Sequence, residues 1–159
     1  MTATEITGTV TPLVFETPLP MFDTAVPTSS FPTVTPDIPG EGFHSVSISG
    51  NQIFWGVCEP GAVDVTAVVS DPKEVYSVLF FVQLREVASD DSTPWSNGED
   101  MKNEGDGLFT YILNADTVNG RKNYLEAWVL YQLVATDAVG NIVGRTKVYQ
   151  GMLKIRPCP

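Results

Sequence analysis

The sequence predicts an all-β chain, a two-sheet sandwich of about seven strands preceded by an extended N-terminal segment. Three observations carry this. Hydrophobicity alternates with a period of two from about residue 44, turn signals separate the alternating runs, and no window sustains a 3.6-residue period. The two parts are separated by composition: the first Lys or Arg is Lys73, and seven of the twelve prolines precede residue 41. The division is therefore read as residues 1–43, a Thr/Pro-rich leader or stalk, and residues 44–159, the β domain.

Residues 1–40 hold ten Thr, seven Pro and two Ser, with no Lys, Arg, Asn or Gln. Proline fixes φ and withholds a donor, so a helix is excluded and extended, polyproline-like geometry is favoured. Fully extended, such a stretch reaches on the order of 120 Å at about 3.1 Å per residue. Thr with Pro is also the composition of O-glycosylated stalks. Apolar residues nevertheless recur through it, more often than a solvated tail needs. In "TEITGTVTPLVFE" only Pro12 interrupts the β-branched and aromatic residues. A segment of this kind can lie along an open sheet edge and gain main-chain hydrogen bonds. Ile6, Val10, Leu13, Val14, Phe15, Leu19 and Met21 are the residues expected to carry such strand donation.

In the domain, Ser45, Ser47 and Ser49 alternate with Val46 and Ile48, and "NQIFWGV" then leads to Cys58. Val63, Val65, Ala67 and Val69 fall on one face of the next strand, opposite Asp64 and Thr66, and Asp71-Pro72 closes it. "EVYSVLFFVQLREV" is apolar on both faces near its middle, as a central strand requires. A long polar loop, "DDSTPWSNGEDMKNEGDG", has room for one short edge strand. Phe109, Tyr111 and Leu113 share a face of the following strand, as do Val129, Tyr131, Leu133 and Ala135 of the one after. "AVGN" supplies a hairpin turn, and "IVGRTKVYQGMLKI" runs back as one strand to Cys158.

"VTAVVSDPKEVYSVLFFV" and "YQLVATDAVGNIVG" resemble strand–turn stretches of bacterial extracellular immunoglobulin-like and fibronectin type III-like domains, with Asp137, Gly140 and Asn141 on the family's A-x-D-x-x-G-N pattern. The chain is also similar to Cys-bounded forms that follow Thr/Pro-rich linkers in bacterial surface proteins. The resemblance implies an immunoglobulin-like sandwich and a cell-surface or extracellular location, and it leaves activity open. Cys58 and Cys158 lie near the two ends of the domain, and their pairing is expected to tie the first strand to the last. Two free thiols are the alternative, since a pair carries no proof of connectivity.

The formal charge is −10, with −8 of it in residues 1–72. Nucleic acid is excluded as a partner, because phosphate recognition draws on clustered Lys and Arg and the few bases here are scattered. The longest apolar run, Val75 to Leu84, is too short to cross a bilayer, so no membrane insertion is expected. The start "MTATEITGTV" has neither the basic nor the apolar region of a secretory signal, which points to a processed start or a piece of a longer protein. No N-glycosylation sequon occurs.

No catalytic residues are expected, and the chain is read as a non-enzyme. The single histidine, His44, lacks a second proton shuttle and reads as a solvated loop residue. Glu99, Asp100, Glu104 and Asp106 resemble hard Ca²⁺ ligands in outline, but Lys102 intrudes and the spacing is not that of an EF-hand loop. An ordinary acidic loop is the better reading, with no metal and no cofactor. Trp95 and Trp128 are candidates for stacking on a sugar ring, although Trp in a sandwich more often packs. Two functional expectations follow. One is an extracellular structural protein, a surface fibre subunit self-associating or joining other surface proteins through its leader. The other is a ligand-binding ectodomain, with a glycan as partner, on an O-glycosylated stalk.

Overall fold

Backbone pairing begins at Gly40 in the computed structural model, which describes residues 39–159. The strands in order are β1 (Gly40–Glu41), β2 (Phe43–Ile48), β3 (Gln52–Trp55), β4 (Ala62–Val69), β5 (Ser77–Glu86), β6 (Glu99–Asp100), β7 (Lys102–Gly105), β8 (Leu108–Asn114), β9 (Ala127–Thr136), β10 (Ile142–Thr146) and β11 (Tyr149–Pro157). Two single 3-10 turns, Ala115–Thr117 and Arg121–Asn123, connect β8 to β9. The smaller sheet has the order β2-β4-β8-β7. In the larger sheet β9 is central, with β5 on one side and β10 followed by β11 on the other. β6 extends the sheet beyond β5, and β1 and β3 flank β10 and β11. Pairing is antiparallel except between β3 and β11. With β10 and β11 taken as one interrupted strand, the two sheets form a sandwich around one hydrophobic core.

Period-two alternation puts the expected faces inside. Val63, Val65, Ala67 and Val69 of β4 are buried, as are Phe109 and Leu113 of β8, Val129, Tyr131, Leu133 and Ala135 of β9, and Leu153 and Ile155 of β11. Each fully buried Val, Leu or Phe side chain contributes about 1.5–3 kcal/mol. An aromatic seam crosses the core. Tyr111 stacks on Phe80 at 4.9 Å, Phe80 lies 5.8 Å from Tyr131, and Tyr131 lies 4.8 Å from Tyr149.

The strand count exceeds the expected seven for local reasons. The last strand is broken: from Val134 to Tyr131 β9 advances three residues, while its partner advances four, from Arg145 to Tyr149. The Thr146 hydroxyl accepts from Leu133 N (3.0 Å), and Gln132 Nε2 donates to Thr146 O (2.8 Å), so side chains replace the ladder at the break. A second irregularity follows at Gly151, where φ is 74°. The long polar loop yields two short strands, β6 and β7, and buried Met101 lies where the chain leaves one sheet for the other. On the opposite side Gly42 does the same between β1 and β2. Its φ is 77°, and a Cβ there would lie 2.7 Å from Gly144 Cα, so no other residue fits without displacement.

Cys58 and Cys158 form a disulfide, with Cα atoms 5.4 Å apart and a sequence separation of 100. It joins the end of β3, the third strand rather than the expected first, to the end of β11. Cys158 N donates to Trp55 O at 3.0 Å, so the bridge directly continues the parallel β3–β11 ladder.

Candidate functional site

The outer edge of β5 is covered by an irregular segment, and this builds a groove. Thr93 N donates to Leu84 O (2.9 Å) and Ser96 N to Val82 O (2.8 Å). The side chains reciprocate: Val82 N donates to Ser96 Oγ (2.9 Å) and Leu84 N to Thr93 Oγ1 (2.9 Å). Pro94 and Trp95 bulge between these two anchors, and Trp95 remains 38% exposed. Opposite lies the β8–β9 connection. Its first 3-10 turn is capped by Asn114, whose Oδ1 accepts from Asp116 N at 2.8 Å. Val118 plugs the core behind it, and Gly120, at φ 78°, lies so close to Thr93 that a Cβ would collide with the Thr93 methyl.

Two cavities of about 280 and 270 Å³ open along this edge and share Val82, Ser96, Val118 and Asn119 as lining residues. Trp95 and Asn123 line the first, Glu99 and Tyr111 the second. No Lys, Arg or His lines either one. Burial, and then the Glu99 carboxylate, push the Tyr111 phenol above its ordinary pKa, so it stays neutral. Among the described residues the side-chain amides of Asn119 and Asn123 have no hydrogen-bond partner, whereas Gln83 spends its amide on Thr93 O at 2.7 Å.

Trp95 and Trp128 are not brought together. Trp128 projects from the outer face of the larger sheet, in register with Arg85 on β5 and Lys154 on β11. Lys154 Nζ sits 4.6 Å from the ring centroid and 3.1 Å from Glu126 Oε1, so one face of this indole is already covered. The four acids of the 97–107 stretch are also divided. Glu99 and Asp100 belong to β6 in one sheet, and Glu104 to β7 in the other. Lys102 (2.9 Å) and Thr110 (2.8 Å) hold the Glu104 carboxyl below its ordinary pKa. His44 is exposed on β2.

The strand-donation residues Ile6, Val10, Leu13, Val14, Phe15, Leu19 and Met21 lie outside the described residues. The two edges of the smaller sheet are inside them. β7 is four residues long, fully exposed and carries the Lys102–Glu104 ion pair, a guarded edge. β2 is six residues long, holds no Lys, Arg, Asp or Glu, and among the described residues β4 is its one sheet neighbour. Asn119 and Asn123 were not singled out by sequence reasoning, and alternation shows Tyr111 only as a member of a strand face. Asn119-Gly120 marks a turn, but no periodicity says that the turn folds against Trp95.

Comparison with protein-family models, curated proteins and solved structures finds no match to the chain.

Proposed function

We propose that the chain is a non-enzymatic extracellular structural module, of the immunoglobulin-like kind found on bacterial surfaces, which self-associates through its N-terminal segment. The observation that carries this reading is the β2 edge, which has no second sheet neighbour among the described residues and lacks the charges that guard β7. The leader joins the sandwich immediately before β1, and residues 4–22 hold the β-branched and apolar side chains an added strand needs. Donation to a neighbour is a heterologous contact, and it builds a fibre where the rotation does not close. The Cys58–Cys158 bridge fits an oxidising compartment such as the cell exterior.

Light-scattering mass measurement tests this on three proteins: the full chain, the chain lacking residues 1–38, and the full chain with Ser47→Lys on β2. The full chain is expected to give concentration-dependent oligomers, and both altered proteins to be monomeric. Three monomeric species would end the proposal. A ligand-binding role is favoured by a separate observation, the groove beside Trp95, and is compatible with assembly.

A further inference from the structure

We infer that the groove beside Trp95 binds a neutral saccharide chain, an assignment that rests on the ligand-binding reading and not on assembly. Four features converge. The site has two neighbouring compartments, with Val82, Ser96, Val118 and Asn119 as walls common to both cavities. Its aromatic plate is fixed from behind: the backbone is pinned on either side of Trp95 by bonds to Leu84 and Val82, so the indole stays partly exposed on a rigid support. A pyranose presents one flat face of C–H groups, and an indole of this kind offers that face an apolar surface.

The polar complement has matching chemistry. Sugar hydroxyls both donate and accept, and so do the uncommitted amides of Asn119 and Asn123. Glu99 adds an acceptor at the far end. Charge then selects among saccharides. With Glu99 lining the trough and no cation in it, a uronate, sulfate or phosphate group would meet repulsion without compensation, so the fitting ligand is uncharged. The groove walls come from β5, β8, the 93–96 segment pinned to β5 and the β8–β9 connection, so much of the site is held by backbone bonds before binding.

The test uses the ¹⁵N-labelled full chain and follows its three Trp indole N–H signals with the Asn side-chain amides. Neutral oligosaccharides of glucose, mannose, galactose and N-acetylglucosamine are titrated singly to millimolar concentration. For at least one of them, the Trp95 indole and the Asn119 and Asn123 amides are expected to shift together and saturably, while the Trp128 indole stays still. Trp95→Ala should weaken that binding by on the order of tenfold, about 1.4 kcal/mol. Asn123→Ala should weaken it severalfold, and Trp128→Ala should leave it unchanged. Thermal unfolding of each variant verifies that the fold is intact, and Asn123, an exposed residue, keeps the test alive where Trp95→Ala perturbs its loop. The assignment is overturned if no oligosaccharide moves the Trp95 signal, if binding survives Trp95→Ala, or if an acidic oligosaccharide binds as well as a neutral one. A Trp95 signal that responds instead to an added peptide of residues 4–22 gives the groove to the leader, and also overturns it. A monomeric protein that binds sugar removes only the assembly proposal, and an assembling protein with a silent Trp95 removes only this one.

Discussion

Reducing the Cys58–Cys158 bridge should destabilise the domain more than any single core substitution short of a large cavity. The bridge closes a loop of 100 residues that encloses β4 to β11 and leaves β1 to β3 outside. In the chain-entropy model a loop of that length limits the unfolded ensemble by about 4.7 kcal/mol at 25 °C. For a domain of this size the loss corresponds to a fall in Tm of roughly 15–20 °C. Urea unfolding of the oxidised protein, the dithiothreitol-treated protein and a Cys58→Ser/Cys158→Ser variant measures it directly. The last two should agree with each other, and their urea slopes should exceed that of the oxidised form, because an uncrosslinked unfolded chain exposes more surface. A loss below about 1 kcal/mol would refute the reasoning, since it would mean that the unfolded state stays compact without the bridge.

Gly42→Ala should cost about 2–4 kcal/mol, combining a positive-φ penalty with overpacking against Gly144 and Val143 O; denaturant unfolding with a loss under about 1 kcal/mol would contradict this. The two core tyrosines should respond oppositely. The Tyr131 hydroxyl is buried without a hydrogen-bond partner among the described residues, so Tyr131→Phe should be neutral or stabilising by up to about 1 kcal/mol. Tyr149→Phe removes a donor to Pro39 O at 3.0 Å and should cost about 0.5–1.5 kcal/mol in the same assay. Burial pushes the Tyr149 phenol up to about 12 and raises that of Tyr131 as well. The unfolded phenols ionise near pH 10, so this contribution is whole below that pH and is lost as the pH climbs through about 12. Stability measured between pH 9 and 11 should therefore decline, and the decline should be shallower in either Phe variant.

Strand faces were legible because period two is a local property. The buried sets on β4, β8 and β9 follow directly from alternation within each run. So does the β9–β10 hairpin, where the Asp137 carboxylate accepts from Val139 N (3.0 Å) and Asn141 N (2.8 Å) across a turn that Gly140 allows at φ 89°. Features that depend on register between distant segments were not legible. Nothing in "NQIFW" says that it pairs in parallel with residues 154–157, and nothing in "GEGF" announces a change of sheet. The break before Tyr149 is set by a hydroxyl meeting a backbone amide on another strand. The groove has the same character: Trp95 was visible as an exposed aromatic, while Asn119 and Asn123 became relevant only when a turn far along the chain folded beside it. The separation of Trp128 from Trp95 was not legible either, because its neighbours, Arg85 and Lys154, are chosen by sheet order rather than by sequence.

The sulfur bridge also decides how the domain would carry a mechanical load. Tension entering at residue 39 and leaving at Pro159 travels along the backbone only as far as Cys58, then crosses directly to Cys158. Residues 59–157 are bypassed, so pulling can unravel at most residues 39–58, about 70 Å of slack at roughly 3.5 Å per residue. Strands β4 to β11 would stay within a closed loop under a drag that would string out an unbridged sandwich.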